Sequence, residues 1–184
     1  MSEFVTQEII SAGMGGQGVL KAGLLIAETS MKEGYNVSWI PSYGPEMRGG
    51  TANCKVVVSK RPVGSPIVTS PNVLLAFNRP SLEKFEQSLK PGGILIYNKS
   101  LIEIEPKRTD LKLVPIKATE IADELGNTKA TNMVMVGAYV KATGYLNPEK
   151  VKEEIKHMFA SKPQFVELNI KAFEAGYEAA EEIK

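Results

Sequence analysis

A Rossmann-like α/β layered sandwich, with a mostly parallel or mixed sheet flanked by helices, is predicted by three observations. The stretch Gly13-Met14-Gly15-Gly16-Gln17-Gly18 lies between a short β-prone run at 8–12 and a segment where Val19, Ala22, Leu25 and Ala27 recur at helical spacing. Two compact apolar runs, 72–77 and 94–97, have the continuous hydrophobicity of strands buried on both faces. Between them Leu82, Phe85 and Leu89 give a helix one apolar side, so strand, helix and strand follow in order.

The first strand at 8–12 leads into a loop with the chemistry of a phosphate cradle. Backbone N–H groups reach an anion only where no Cβ intervenes and where positive φ is allowed, which Gly13, Gly15, Gly16 and Gly18 provide. At the start of the following helix, unpaired N–H groups and the positive end of the macrodipole favour phosphate. Gly13, Gly15 and Gly18 match a Gly-x-Gly-x-x-Gly pattern. A tight strand-to-helix turn holding no ligand is the alternative. The acidic ribose ligand expected about 20 residues further on is at best Glu33, followed by Gly34 and away from a strand end, which argues against a nicotinamide cofactor.

Gly34 closes that helix, and residues 35–40 alternate as a second strand. Residues 41–51 are dense in turn formers yet carry Tyr43, Glu46, Met47 and Arg48, so they form either a functional loop or a plain connection. A strand at 52–59 follows, then the 72–77 strand. Ser81 is expected to cap the next helix, and the strand at 94–97 completes a β–α–β unit. Open α/β sheets bind ligands beyond the carboxyl ends of their strands, which places the glycine loop, Asn78 and Asn98 on one rim. Asn78 is a candidate ligand contact there, with ordinary turn chemistry before Arg79 and Pro80 as the other reading.

Residues 101–111 read as an exposed, charged connection to a strand at 112–116, followed by a helix at 118–125 with Gly126 as its stop. Residues 131–140 are apolar on nearly every side, as in a helix buried within a domain or under a partner, with Asn132 near its start facing the same rim. Asn147 caps a helix with Pro148 at its first position, and 165–183 form a last amphipathic helix that packs at home or on another chain.

At 184 residues the chain suits a single domain, 1–184, including a C-terminal helical part 147–184. Lys plus Arg at 22 against Asp plus Glu at 21 leaves a net charge of +1, so bulk charge makes no case for nucleic acid or an acidic membrane surface. The sequence shows no signal peptide and no apolar run near the ~20 residues that span a bilayer, and a cytoplasmic location is expected. Cys54 is the only cysteine, which excludes an internal disulfide and a self-contained four-cysteine cluster. His157 is the only histidine and sits in an ordinary helix position, so no metal site is expected.

Three ordered segments carry a resemblance: Gly13-Met14-Gly15-Gly16-Gln17-Gly18-Val19, then Ser42-Tyr43-Gly44-Pro45-Glu46-Met47-Arg48-Gly49-Gly50, then Asn78-Arg79-Pro80-Ser81. Over nearly the whole chain they resemble the gamma subunit of 2-oxoacid:ferredoxin (acceptor) oxidoreductases, the pyruvate/ketoisovalerate oxidoreductase gamma family, in its 2-oxoglutarate or 2-oxoisovalerate branch. The resemblance implies a hetero-oligomeric enzyme that oxidatively decarboxylates a 2-oxoacid to acyl-coenzyme A and CO2 and reduces ferredoxin. It implies thiamine diphosphate and Mg on alpha and beta chains, and iron–sulfur clusters on beta or a small delta chain. For this chain it implies coenzyme A binding with no catalytic residue of its own, and no activity alone.

Carried over by position, Gly15, Gly16 and Gly18 approach the pyrophosphate or pantetheine, Asn78 and Asn132 hydrogen-bond coenzyme A, and Gly13 and Gln17 complete the candidate set. Lys55 or Arg48 would add cationic contact. Arg48 and Glu46 would alternatively meet the alpha chain near the thiamine site, since a guanidinium fork suits phosphate or carboxylate. The other readings are the smaller subunit of indolepyruvate ferredoxin oxidoreductase, a non-catalytic Rossmann-like nucleotide-binding module, and a purely structural subunit.

Overall fold

The computed structural model describes residues 6–44 and 50–181. Its elements run β1 (Gln7–Met14), α1 (Val19–Lys32), β2 (Asn36–Tyr43), β3 (Thr51–Ser59), β4 (Val73–Ala76), α2 (Arg79–Phe85), β5 (Ile94–Asn98), β6 (Lys112–Ile116), α3 (Ala118–Glu124), α4 (Thr131–Thr143), α5 (Pro148–Met158) and α6 (Val166–Glu181). The six strands form one sheet in the order β2-β3-β1-β4-β5-β6. Strands β1, β4, β5 and β6 are parallel, and β3 runs antiparallel to both β1 and β2, so the sheet is mixed.

Side chains alternate across the strands and supply two cores. On one face Ile9, Val56, Val73 and Leu75 meet Ala22, Leu25 and Ile26 of α1 together with the apolar body of α4. On the other, Ile10, Leu74, Leu95 and Tyr97 meet Leu82 of α2 and Ile102. All four residues of β4 are buried, as its uninterrupted apolar run requires.

Two expectations change, one is qualified and one pair of alternatives is decided. Residues 101–111 are the irregular and mostly exposed connection expected, but they are anchored: Ile102 is fully buried, and Ile104 and Leu111 pack beside it. The Arg108 N–H donates to Glu86 Oε1 at 2.8 Å while its guanidinium holds Asp110, so this segment covers a stretch of sheet that no helix reaches. Ser81 does not cap α2. Asn78, at φ −148°, accepts the Ser81 N–H at 3.0 Å, and Pro80 occupies the first turn, where its missing donor costs nothing. Strand β2 continues through Pro41 to Tyr43, which is tolerated because β2 is an edge strand. Of the two alternatives for the last helix, α6 takes the first and packs at home, on α4.

The capping expected of Asn147 is present, its side chain accepting the Glu149 N–H at 2.9 Å. Helix α5 is clasped to α1 by the Lys32–Glu154 ion pair and by Glu33 Oε1, which accepts the Asn147 N–H at 2.9 Å. Burial, the neighbouring Glu154 charge and a hydrogen bond to it raise the Glu28 carboxyl above its usual range, against the opposing pull of Lys32. A carboxyl raised in the folded state contributes stability that is complete below its unfolded value and lost as pH rises through its folded one. Glu28→Gln is therefore expected to raise the thermal midpoint at pH 7 and to leave it nearly unchanged at pH 3.5, where glutamate is neutral too. Thermal unfolding at the two pH values checks this, and an equal shift at both would contradict it.

Candidate functional site

The open end of α1 is the centre of the site. Gly18 is its N-cap at φ 73°, ψ 19°, a left-handed conformation, and has no side chain with which to cap. The Ala22 N–H reaches the Gly18 carbonyl at 3.0 Å, while the N–H groups of Val19, Leu20 and Lys21 meet no acceptor among the described residues. Three donors and the positive end of a 14-residue helix thus face outward together.

The turn before it is braced from within. The Gln17 N–H donates to the Met14 carbonyl at 3.1 Å, and Gln17 Oε1 accepts the Met14 N–H at 2.7 Å and Asn78 Nδ2 at 3.5 Å. From α4, Asn132 Nδ2 donates to the Gly18 carbonyl at 3.2 Å. Asn78 and Asn132 are 8% and 3% exposed, so both brace the loop; Asn132 also lines the cleft beside it.

The four glycines divide by role. Gly13 belongs to β1, and a β-carbon there would lie 2.6 Å from Val19 Cγ2 and 2.8 Å from Phe77 Cβ, so this glycine serves helix–strand packing. Gly15 donates its N–H to the Gly50 carbonyl at 2.9 Å. Gly16, at φ +97° with nothing within 4 Å of a built β-carbon, is open to the cleft along with Gly18.

Two hollows meet at this helix end. The first, about 470 Å³, is walled by Gly16, Gly18, Lys21, Lys129, Asn132, Lys162 and the apolar Met158, Phe159, Phe165 and Leu168. The second, about 350 Å³, is walled by Met14, Gly15, Leu20, Tyr43 and Thr51, and shares Gly16, Gly18 and Lys21 with the first. No described carboxylate lines either hollow. Lys21 Nζ lies 5.0 Å from the centre of the Phe159 ring, a cation–π contact that joins α1 to the end of α5. Three cations, outward amides and aromatic walls suit an anionic, partly apolar ligand.

Other expected positions fall elsewhere. Lys55 pairs with Ile10 and Ile40 on the sheet face opposite α1, where the phosphate loop does not reach. Asn98 Nδ2 donates to Thr119 Oγ1 at 2.9 Å and its oxygen accepts the Ser100 N–H at 3.3 Å, tying β5 to α3 instead of lining the hollows. Arg48 and Glu46 lie outside the described residues. Cys54 is fully buried under α1, and burial pushes its thiol up to about 12, so it stays protonated and is no nucleophile.

Lys129 and Lys162 carry no sequence signal, because each is one lysine in a short loop. Lys21 had one: a cation in the first turn of a helix, with no acid there, opposes the dipole. Such a conflict points to a role other than helix stability.

Among the described residues no cluster of three or more histidine, cysteine, aspartate or glutamate side chains stands ready for a metal, and no helix is long and apolar enough to cross a membrane. Residues 8–179 match the family described as pyruvate ferredoxin/flavodoxin oxidoreductase. The chain is 42% identical, over 95% of its length, to the ketoisovalerate oxidoreductase subunit VorA of Methanothermobacter marburgensis, and it spans 36% of that relative's own length. In structure it is similar to a keto/oxoacid ferredoxin oxidoreductase gamma subunit from Geobacter sulfurreducens PCA, with a TM-score of 0.80, 31% identity and coverage of 95% of this chain and 98% of that one. It is also similar to a chain of 2-oxoglutarate:ferredoxin oxidoreductase from Magnetococcus marinus, solved with 2-oxoglutarate, coenzyme A and succinyl-CoA bound, with a TM-score of 0.90 and 25% identity, covering 99% of this chain and 32% of that one.

Proposed function

The chain belongs to the pyruvate ferredoxin/flavodoxin oxidoreductase family, and from that premise we propose that it is the gamma subunit of a multi-subunit 2-oxoacid:ferredoxin oxidoreductase. Within that complex it presents the phosphate-accepting cleft for coenzyme A, the acyl acceptor. Partner chains hold thiamine diphosphate, Mg and the iron–sulfur clusters and pass electrons to ferredoxin.

One observation carries the assignment to coenzyme A: the outward amides of α1 meet Lys21, Lys129 and Lys162 in a hollow that no described carboxylate enters. A magnesium-bound diphosphate needs oxygen ligands for its metal, mostly carboxylates and carbonyls, and no described carboxylate lines the hollow. A metal-free pyrophosphate attached to an apolar arm is matched on both counts. A dinucleotide is disfavoured because Glu33 lies at the far end of α1, with its carboxylate on the Asn147 N–H. That is about 20 Å along the helix axis from the loop.

One buried, protonated cysteine and a single histidine do not fit an iron–sulfur cluster, so electron transfer has no ligands on this chain. Its own residues do simpler work. They bind and orient the acceptor, with Gln17, Asn78 and Asn132 holding the loop in shape while Gly16 and Gly18 keep it open.

The isolated chain is expected to reduce no ferredoxin with any 2-oxoacid and coenzyme A, and adding it to the remaining subunits is expected to restore acyl-coenzyme A formation. Ferredoxin reduction and product formation are measured with and without the chain. Full acyl transfer by a complex lacking it would overturn the proposal, as would turnover by the chain alone.

A further inference from the structure

Resting on the coenzyme A reading above, the two hollows differ in a way that gives the ligand a direction. The 470 Å³ hollow holds Lys129 and Lys162 on a wall beyond the helix end, with Phe159 and Phe165 beside them. Neither lysine is paired with a described carboxylate, whereas Lys117, Lys150, Lys152 and Lys171 all are. Among the described residues the 350 Å³ hollow has no charged group beyond the shared Lys21, and its wall of Met14, Leu20 and Tyr43 is largely apolar. Between them lies the α1 N-terminus with Gly16 and Gly18.

Coenzyme A has the same three-part pattern: a phosphomonoester on an aromatic base and ribose, a central pyrophosphate, and an uncharged arm ending in a thiol. We propose that Lys129 and Lys162 form a subsite for the 3′-phosphate, so that the adenosine end fills the larger hollow and the thiol arm leaves past Met14 and Tyr43 through the smaller one. A pyrophosphate seated on the helix end accounts for Lys21 and the amides but leaves the other two cations without a partner. Phe165, 36% exposed on that same wall, offers a face on which a base can stack. Lys129 and Lys162 therefore set specificity, since they distinguish acceptors that differ only in the phosphomonoester.

The test uses the assembled complex with coenzyme A and 3′-dephospho-coenzyme A as competing acceptors. The wild-type complex is expected to show a KM about five- to tenfold lower for coenzyme A, the scale of two solvent-exposed charge pairs. In the Lys129→Ala/Lys162→Ala variant, whose changes lie on exposed side chains, that preference is expected to fall to about unity. Thr51→Phe, in the smaller hollow, is expected to raise KM for both acceptors in equal proportion. A wild-type complex indifferent to the phosphate, a double variant that keeps its preference, or a Thr51→Phe complex that loses the preference would each overturn the assignment. Failure of coenzyme A itself to bind would instead remove the reading on which it rests.

Discussion

Gly176→Val is expected to leave no cooperatively folded chain, and Gly176→Ala to lower the thermal midpoint by about 6–12 °C, for a loss of ~3 kcal/mol in a chain of this length. Helices α4 and α6 approach so closely that a β-carbon on Gly176 would lie 2.6 Å from the Val134 carbonyl carbon and closer still to its oxygen. One on Gly137 would lie 2.7 Å from the Tyr177 nitrogen. These neighbours are backbone and cannot swing aside, so the helices must separate. Separation opens the packing of Val134, Val136, Ala138 and Tyr139 against Ala172 and Phe173. A glycine within a helix costs about 1 kcal/mol relative to alanine, and here the close approach outweighs that cost. Thermal unfolding of the two variants checks the expectation; a valine variant that melts like wild type would show that α4 and α6 are not held in this contact.

Gly16→Val is expected to act in the opposite manner, sparing the fold and losing the ligand. At φ +97° the new side chain is strained, at a cost of about 1–2 kcal/mol. Its β-carbon meets none of the described residues within 4 Å, so the complex should still assemble. Its branches project into space beside the first-turn amides, where a phosphate would sit. Loss of one or two charge-assisted hydrogen bonds should raise the dissociation constant for coenzyme A by about two orders of magnitude. Calorimetry on the assembled complex measures this, and undiminished affinity would show that the amides hold no phosphate. Gly18 is a poorer test, because a β-carbon there would lie 2.5 Å from Asn132 Nδ2 and disturb the brace along with the ligand.

The glycine loop, its flanking strand and helix, the Asn147 cap and the buried character of 131–140 were all legible in the chain, since each rests on spacing or on a local hydrogen-bonding habit. The roles of the individual glycines were not. Gly13, Gly15, Gly16 and Gly18 look alike in a pattern, yet one packs under Val19, one donates to Gly50, one packs against Asn132 at the cleft and only Gly16 has open space beside it. Asn78 was legible as a rim residue but not as the cap of α2, because Ser81 offers the same capping chemistry three positions later. The anchoring of residues 101–111 was not legible for another reason: most of the segment is solvent-facing as its charges suggest, and one buried residue, Ile102, with Ile104 and Leu111 half-buried beside it, makes no period.

By itself, then, the sequence determined that a glycine loop opens the first helix, that the chain has too few cysteine and histidine side chains to hold a cluster, and which runs are strands and helices. Only the tertiary structure decided that Lys21, Lys129 and Lys162 share one hollow, that Lys55 faces away from it, and that β3 runs against its neighbours. The physical reason is range. Periodicity, capping and backbone freedom act over a few residues, whereas the order of strands follows from burying both faces of the sheet at once, and that order brings distant side chains together.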